Sequence, residues 1–220
     1  SSQYGNVQNF HHPLAIEHFR DYLRNKYSPE QLEDRFDFRD VKFVIPPKYR
    51  GIPQPIQDPL FQEWTEFRCR KVSEYLQQMR KYIKSLNPEV VVEGNHQGDN
   101  GDNFYWIRGR DLTRMLPYTE ASWAEVEADP DVTDNGTLVS RIRSLKIARI
   151  FGNKLFYHSG HDKLLMAEAL AYNANCLGYI GALLSPNYWD DNAIKYVRYF
   201  HDHFQYYRNT KNIAQVAVLR

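Results

Sequence analysis

The sequence predicts an α/β fold in which helices alternate with short parallel strands. Segments with apolar residues at helical spacing alternate with short apolar runs, and each run ends in polar and aromatic residues. The runs are apolar throughout, as in parallel strands that are covered on both faces. Consecutive βα units of this kind indicate the C-terminal part of a (β/α)8 TIM barrel, about strands 5–8, in which chemistry is expected at the strand ends.

The N-terminal part of the chain is predicted to be helical. Apolar spacing predicts a helix over residues 13–26, and Ser28 is placed to cap a short second helix. A proline-rich connection follows, for which we expect no regular structure. Asp58 and Pro59 then predict the start of a long helix that ends near residue 86, since a carboxylate and a proline both favour a helix N-terminus.

The remaining strands and helices follow from apolar runs bounded by Pro and Gly. Strands are predicted at residues 89–93, 117–120, 154–157 and 179–184. The helices between and after them are predicted at residues 110–116, 138–151, 164–174 and 190–207.

Both ends of the chain are predicted to interrupt larger units. No strand precedes the first helix, and residues 214–220 read as a new buried strand. We therefore expect residues 1–208 to form a partial barrel domain of catalytic type. Residues 209–220 are expected to supply the first strand of a following domain.

Composition excludes several classes of protein. The net charge of +1 argues against a general nucleic-acid binder. No apolar run approaches the roughly 20 residues that a membrane-spanning helix needs. The 2 cysteines, Cys69 and Cys176, are too far apart in sequence to suggest a metal motif or a disulfide framework. The cellular compartment stays open.

Polar and aromatic side chains at the predicted strand ends indicate a binding site for a polyhydroxyl ligand. Planar amides and carboxylates bind vicinal hydroxyls, and flat aromatic rings stack on the C–H faces of sugars. Glu120 is the one acid at such a strand end. The expected substrate-binding residues around it are Asn95, His96, Tyr118, Trp123, His158, His161, Asn187 and Trp189.

Four segments resemble glycoside hydrolases related to family 42 β-galactosidases and their uncharacterised sister families. They are residues 58–90, 136–154, 167–171 and 212–219, and the last resembles the entry to the amidotransferase-like trimerisation domain of that family. The resemblance implies a glycosidase that hydrolyses a galactoside or related oligosaccharide. It also implies a homo-oligomer assembled through the following domain.

The sequence departs from the family pattern where the family's catalytic residues lie. The family carries an acid/base Glu after strand four and a nucleophilic Glu after strand seven. Strand four would precede Ser1, and the seventh position reads Tyr157-His158-Ser159-Gly160-His161, with no carboxylate. The family's zinc-binding cysteines are also absent, because the matching residues 9–13 contain none.

Glu120 is therefore the candidate catalytic acid/base. Its aromatic neighbours would desolvate the carboxyl group and raise its pKa, which suits a general acid. Its partner acid would lie on the preceding strand. A structural carboxylate paired with Arg110 or Arg114 is the alternative interpretation of the same residue.

No metal or cofactor is expected. His158 and His161 lack the further ligands that zinc needs, and residues 99–103 lack the bidentate Glu of a calcium loop. Two other functions stay open: a non-catalytic carbohydrate-binding or degenerate barrel, and a helical scaffold protein. The scaffold interpretation requires the runs at Val90, Leu155 and Ile180 to be helical.

Overall fold

The computed structural model describes the N-terminal half of the chain nearly continuously and the C-terminal half in shorter pieces. The described residues are 12–51, 54–95, 109–124, 131–139, 142, 146, 149–151, 155–158, 167–168, 171–172, 178–179 and 191–207. Contacts along the chain divide it into two compact units. The first unit comprises residues 1–82 and 103–118, and the second comprises residues 83–102 and 119–220.

The first two helices form where the sequence predicts them. Helix α1 spans Pro13–Lys26, and helix α2 spans Pro29–Phe36. Ser28 caps α2 in a capping box, in which its hydroxyl accepts from the Gln31 backbone N–H at 3.3 Å and the Gln31 side chain accepts from the Ser28 N–H at 2.9 Å. Asp37 in the left-handed conformation ends α2.

The proline-rich connection contains more structure than predicted. A 3-10 turn spans Val41–Phe43, and a one-turn helix, α3, spans Gln54–Gln57. Helix α4 then spans Pro59–Leu86. The Asp58 carboxylate accepts a hydrogen bond from the Phe61 backbone N–H at 2.9 Å, which confirms the predicted helix start.

The core of the first unit lies between helices. Phe19 and Leu23 on α1 are fully buried, and Trp64 and Phe67 on α4 are buried against them. The rings of Phe19 and Trp64 meet edge to face with centroids 5.1 Å apart. The apolar stripes of α1 and α4, which repeat at helical spacing, therefore pack against each other. The buried members of this cluster are Phe19, Leu23, Leu32, Val41, Val44, Trp64 and Phe67.

A further short helix closes the described part of the first unit. Helix α5 spans Leu112–Met115, with Asp111 at its N-cap, and a 3-10 turn follows at Leu116–Tyr118. The predicted helix at residues 110–116 is therefore present but shorter. The predicted strand at residues 117–120 is wrong, because its first residues continue as a 3-10 turn.

The second unit contains short strands. They are β1 (Glu93–Asn95), β2 (Ala121–Ala124), β3 (Asp131–Val132), β4 (Leu138–Val139), β5 (Leu155–His158) and β6 (Gly178–Tyr179). Parallel pairing runs in the order β1, β2, β5, β6, whereas β3 and β4 form an antiparallel pair that the sequence analysis missed. Helix α6 spans Asp191–Tyr207, close to the prediction.

The predicted barrel segment is wrong. Most of the residues that the structure describes lie in helices. The described strands have only 2 to 4 residues, whereas strands of globular proteins commonly have about 5–6. In the first unit the apolar faces of α1 and α4 bury each other rather than covering a sheet, so these residues supply no barrel wall.

Strand positions also differ from the predicted ones. Residues 88–90 form a turn and a bend and residues 91–92 have no regular structure, so the first strand begins only at Glu93. The helical-scaffold interpretation fails at the described runs as well, since Val90 lies in a bend and Leu155 in a strand. Ile180 and the predicted next domain at residues 209–220 lie outside the described residues.

Truncating a core ring tests the packing of the first unit. We expect Phe19→Ala to lower the free energy of unfolding by about 3–5 kcal/mol, because it opens a cavity at the α1/α4 contact. Leu14→Ala on the same helix is the control, since Leu14 is exposed, and we expect a change within about 0.5 kcal/mol. Denaturant unfolding measures both, and equal effects of the two changes would contradict the described core.

Candidate functional site

Three of the predicted sugar-binding residues lie at one edge of the short parallel pairing. Asn95 is opposite Trp123 in the β1/β2 register, and Ala124 is opposite His158 in the β2/β5 register. Because the strands run in parallel, Asn95, Trp123 and His158 all occupy their carboxyl ends. The backbone therefore brings these three positions to the same edge.

Glu120 lies at the opposite end of its strand. It precedes β2, and its backbone N–H donates to the carbonyl oxygen of Val92 at 2.9 Å. One carboxylate oxygen, Oε2, accepts from the Val92 N–H at 2.8 Å, and the other, Oε1, lies 3.4 Å from Lys84 Nζ. The two carboxylate oxygens thus join the start of β2 to the last turn of α4 and to the residue just before β1.

This placement resembles the structural alternative for Glu120, with a different cation. The sequence suggested Arg110 or Arg114, but the ion pair that the structure describes is with Lys84. Arg114 instead grips Glu66 through two parallel hydrogen bonds of 2.8 and 2.9 Å. Such bidentate pairing is the strongest geometry that an Arg offers a carboxylate.

The other predicted contact residues are not brought to this edge by the described structure. Tyr118 is half-buried and belongs to the first unit. His96, His161, Asn187 and Trp189 lie outside the described residues, so their assignment stays a prediction.

A second candidate site, which the sequence analysis missed, is a cleft between α1 and α4 in the first unit. This α1/α4 cleft has a volume of about 460 Å³. Its lining includes Asp21 and Tyr22 from α1, and Phe67, Arg70, Lys71 and Glu74 from α4. The Tyr22 and Phe67 rings lie 5.5 Å apart between centroids and give the cleft an aromatic wall.

The cleft adjoins a buried carboxylate. Glu63 on α4 is only 4% exposed. It accepts hydrogen bonds from the Tyr22 hydroxyl at 2.8 Å, the Tyr27 hydroxyl at 2.6 Å and Lys26 Nζ at 2.6 Å. Nη2 of Arg35 on α2 lies 3.5 Å from Oε1 of Glu63. A buried charge needs such partners, because burial without them costs several kcal/mol.

These contacts shift the pKa values of the groups that share them. Burial alone would raise the pKa of Glu63, but the hydrogen bonds from Lys26, Tyr27 and Tyr22 outweigh it and lower the pKa below its ordinary value. Burial and the neighbouring Glu63 raise the pKa of Tyr22 to about 12. Burial opposes the charge on Lys26, yet its bonds to Glu63 and Tyr22 raise its pKa.

The signal for this network was present in the sequence. Glu63 falls within the apolar stripe of α4, directly before Trp64 and one turn before Phe67. A charged residue in the buried stripe of an amphipathic helix requires a partner from another element. The sequence alone does not say which element supplies it.

Neither a metal-binding cluster nor a membrane-spanning helix is found among the described residues. They contain no group of three or more His, Cys, Asp or Glu side chains placed to hold a metal ion. No helix among them is both long and apolar enough to cross a membrane. Cys69 is buried, and burial raises the pKa of its thiol to about 12, as suits a packing residue.

Comparisons with models of protein families, with curated proteins and with solved structures found no match for this chain. The resemblance to family 42 β-galactosidases therefore stays a sequence-based expectation.

Removing the charge of Glu63 tests the buried network. We expect Glu63→Gln to lower the free energy of unfolding by about 3 kcal/mol, since it leaves Lys26 without its buried carboxylate. The control is Glu17→Gln on the exposed surface of α1, for which we expect a change within about 0.5 kcal/mol. A Glu63→Gln variant as stable as its control would contradict the network.

The same network predicts how stability depends on pH. Because the folded pKa of Glu63 is lowered from 4.5, its stabilisation is fully present above pH 4.5 and is lost as the pH falls through the folded value. Because the pKa of Tyr22 is raised from 10.0 to about 12, its contribution is present below pH 10.0 and is lost as the pH rises towards about 12. Thermal unfolding across this range measures both limits, and Glu63→Gln should reduce the loss of stability at acid pH by the contribution of Glu63.

Proposed function

We propose that the chain binds carbohydrate at the carboxyl edge of β1, β2 and β5, through Asn95, Trp123 and His158. The observation that carries the proposal is the strand register, which pairs Asn95 with Trp123 and places His158, which pairs with Ala124, at the same carboxyl end of the neighbouring strand although the three residues are far apart in sequence. The likeness to family 42 glycoside hydrolases supports the same ligand class.

The three residue types suit a neutral sugar. The amide of Asn both donates and accepts hydrogen bonds, and so does a neutral imidazole, which matches the double role of a sugar hydroxyl. An indole ring provides a flat apolar face with one N–H donor. A galactoside or a related oligosaccharide presents both hydroxyl groups for the amide and imidazole and an apolar C–H face for the indole.

The position of Glu120 favours carbohydrate binding without hydrolysis. A general acid must reach the glycosidic oxygen beside the bound sugar. Glu120 lies at the amino end of β2, away from the proposed sugar edge, and its carboxylate contacts Val92 and Lys84. Glycoside hydrolysis also needs two carboxyl groups in facing positions, and the three edge residues include none.

The remaining expectations from the sequence stand as parts of this proposal. His96, His161, Asn187 and Trp189, which lie outside the described residues, would extend the sugar contacts. Homo-oligomers would form through the domain that residues 209–220 are expected to begin.

Calorimetric titration with a panel of galacto-oligosaccharides tests the binding. We expect Trp123→Ala and His158→Ala each to weaken the affinity about tenfold or more, which corresponds to about 1.4 kcal/mol. Tyr75→Ala is the matched aromatic control, because Tyr75 is exposed on α4 in the first unit, and its affinity should equal that of the unchanged chain. Equal affinity in all three variants would contradict the proposed site.

Release of nitrophenol from nitrophenyl galactosides separates binding from catalysis. We expect the unchanged chain to release no more than Glu120→Gln. Turnover that Glu120→Gln abolishes, at an unchanged melting temperature, would contradict binding alone and make Glu120 the catalytic acid.

A further inference from the structure

We propose that the α1/α4 cleft of the first unit is a second binding site, which takes a small cyclic organic carboxylate and receives its charge on Arg70. This site is independent of the carbohydrate edge, because it uses other residues in the other unit.

The pairing of charges around the cleft singles out Arg70. Asp21 forms an ion pair with Arg24, and Glu74 pairs with Lys71 at 2.8 Å. Lys26, which also lines the cleft, is held by the buried Glu63 at 2.6 Å.

Arg70 differs from these neighbours. Its guanidinium carbon lies 5.6 Å from the centroid of the Tyr22 ring. Within the part of the chain that the structure describes, no carboxylate forms an ion pair with it. A guanidinium that lies over an aromatic ring keeps its donors available while its orientation is restricted. Arg70 is therefore a preorganised anion receptor at the cleft.

The shape and lining of the cleft define the rest of the ligand. Its volume of about 460 Å³ is that of a small-molecule site. Tyr22 and Phe67 form an aromatic wall suited to a flat ring. His18 and Asn25 also line the cleft and supply further polar groups for a substituted ring.

The charge count favours a monoanion over a phosphate. A dianion would require a second cation, and the nearby Lys26 and Lys71 already pair with Glu63 and Glu74. The carboxylates of Asp21 and Glu74 in the same lining would repel the additional negative charge. One guanidinium fork matches one carboxylate in a bidentate geometry.

Titration of the full chain with benzoate, followed by NMR, tests the proposal. We expect shift changes at residues of the α1/α4 cleft and an affinity that Arg70→Gln lowers at least tenfold. Arg70→Lys keeps the positive charge but loses the two parallel N–H donors of the guanidinium. Its affinity for benzoate should therefore lie between that of the unchanged chain and that of Arg70→Gln. Lys81→Gln is the matched control, because it removes one exposed cation from the same helix outside the cleft lining, and it should bind as the unchanged chain does.

Two further ligands make the result decisive. Benzyl alcohol has the same ring without the charge, and phenyl phosphate carries the larger charge; both should bind more weakly than benzoate. The proposal is overturned if Arg70→Gln binds benzoate like the Lys81→Gln control, if benzyl alcohol binds as tightly as benzoate, or if phenyl phosphate binds more tightly. Absence of any benzoate-induced shift at the cleft would overturn it as well.

Discussion

A buried carboxylate needs hydrogen-bond donors, and in the first unit this requirement fixes where the helices lie. Glu63 on α4 is reached by Tyr22 and Lys26 from α1, by Tyr27 at the end of α1, and by Arg35 from α2. Its hydrogen bonds therefore tie both N-terminal helices to α4. The Phe19 and Trp64 contact adds apolar burial beside them, but only the charged network demands a particular position for each polar group. The wall of the α1/α4 cleft, with Tyr22 at its centre, is a consequence of this arrangement.

The two proposed sites use different physical means to recognise a ligand. At the proposed sugar edge of the second unit, strand register places the backbone positions of an Asn, a Trp and a His at the carboxyl ends of neighbouring strands, and we propose neutral sugar hydroxyls as their ligands. At the cleft of the first unit, the acids are matched by cations of the chain, which leaves the Arg70 guanidinium to meet an external anion. Glu120 belongs to neither site, since its carboxylate holds the start of β2 against Val92 and Lys84. The contacts described for Glu120 thus connect secondary-structure elements, and its predicted catalytic role stays a prediction.

Features that depend on a few adjacent residues were predictable from the sequence. The bounds of α1, the Ser28 cap of α2 and the Asp58 cap of α4 all follow from residues within one turn of each helix end. The barrel prediction was wrong because an apolar run does not reveal whether it will pair as a strand, continue as a turn or stay unpaired. Residues 117–120 are an example, since they were predicted as a strand but form a 3-10 turn and a bend. The partners of the buried Glu63 were equally beyond a local pattern, because they lie about 30 to 40 positions away along the chain.

The titration of Glu63 itself tests the central claim most directly. Carbon-13 NMR of the side-chain carboxyl, assigned by comparison with Glu63→Gln, follows its ionisation in the folded chain. The account predicts a pKa below the ordinary value of 4.5, because three hydrogen-bond donors hold the ionised form. A pKa at or above 4.5 would mean that burial is not compensated, and it would contradict the network that positions α1, α2 and the cleft.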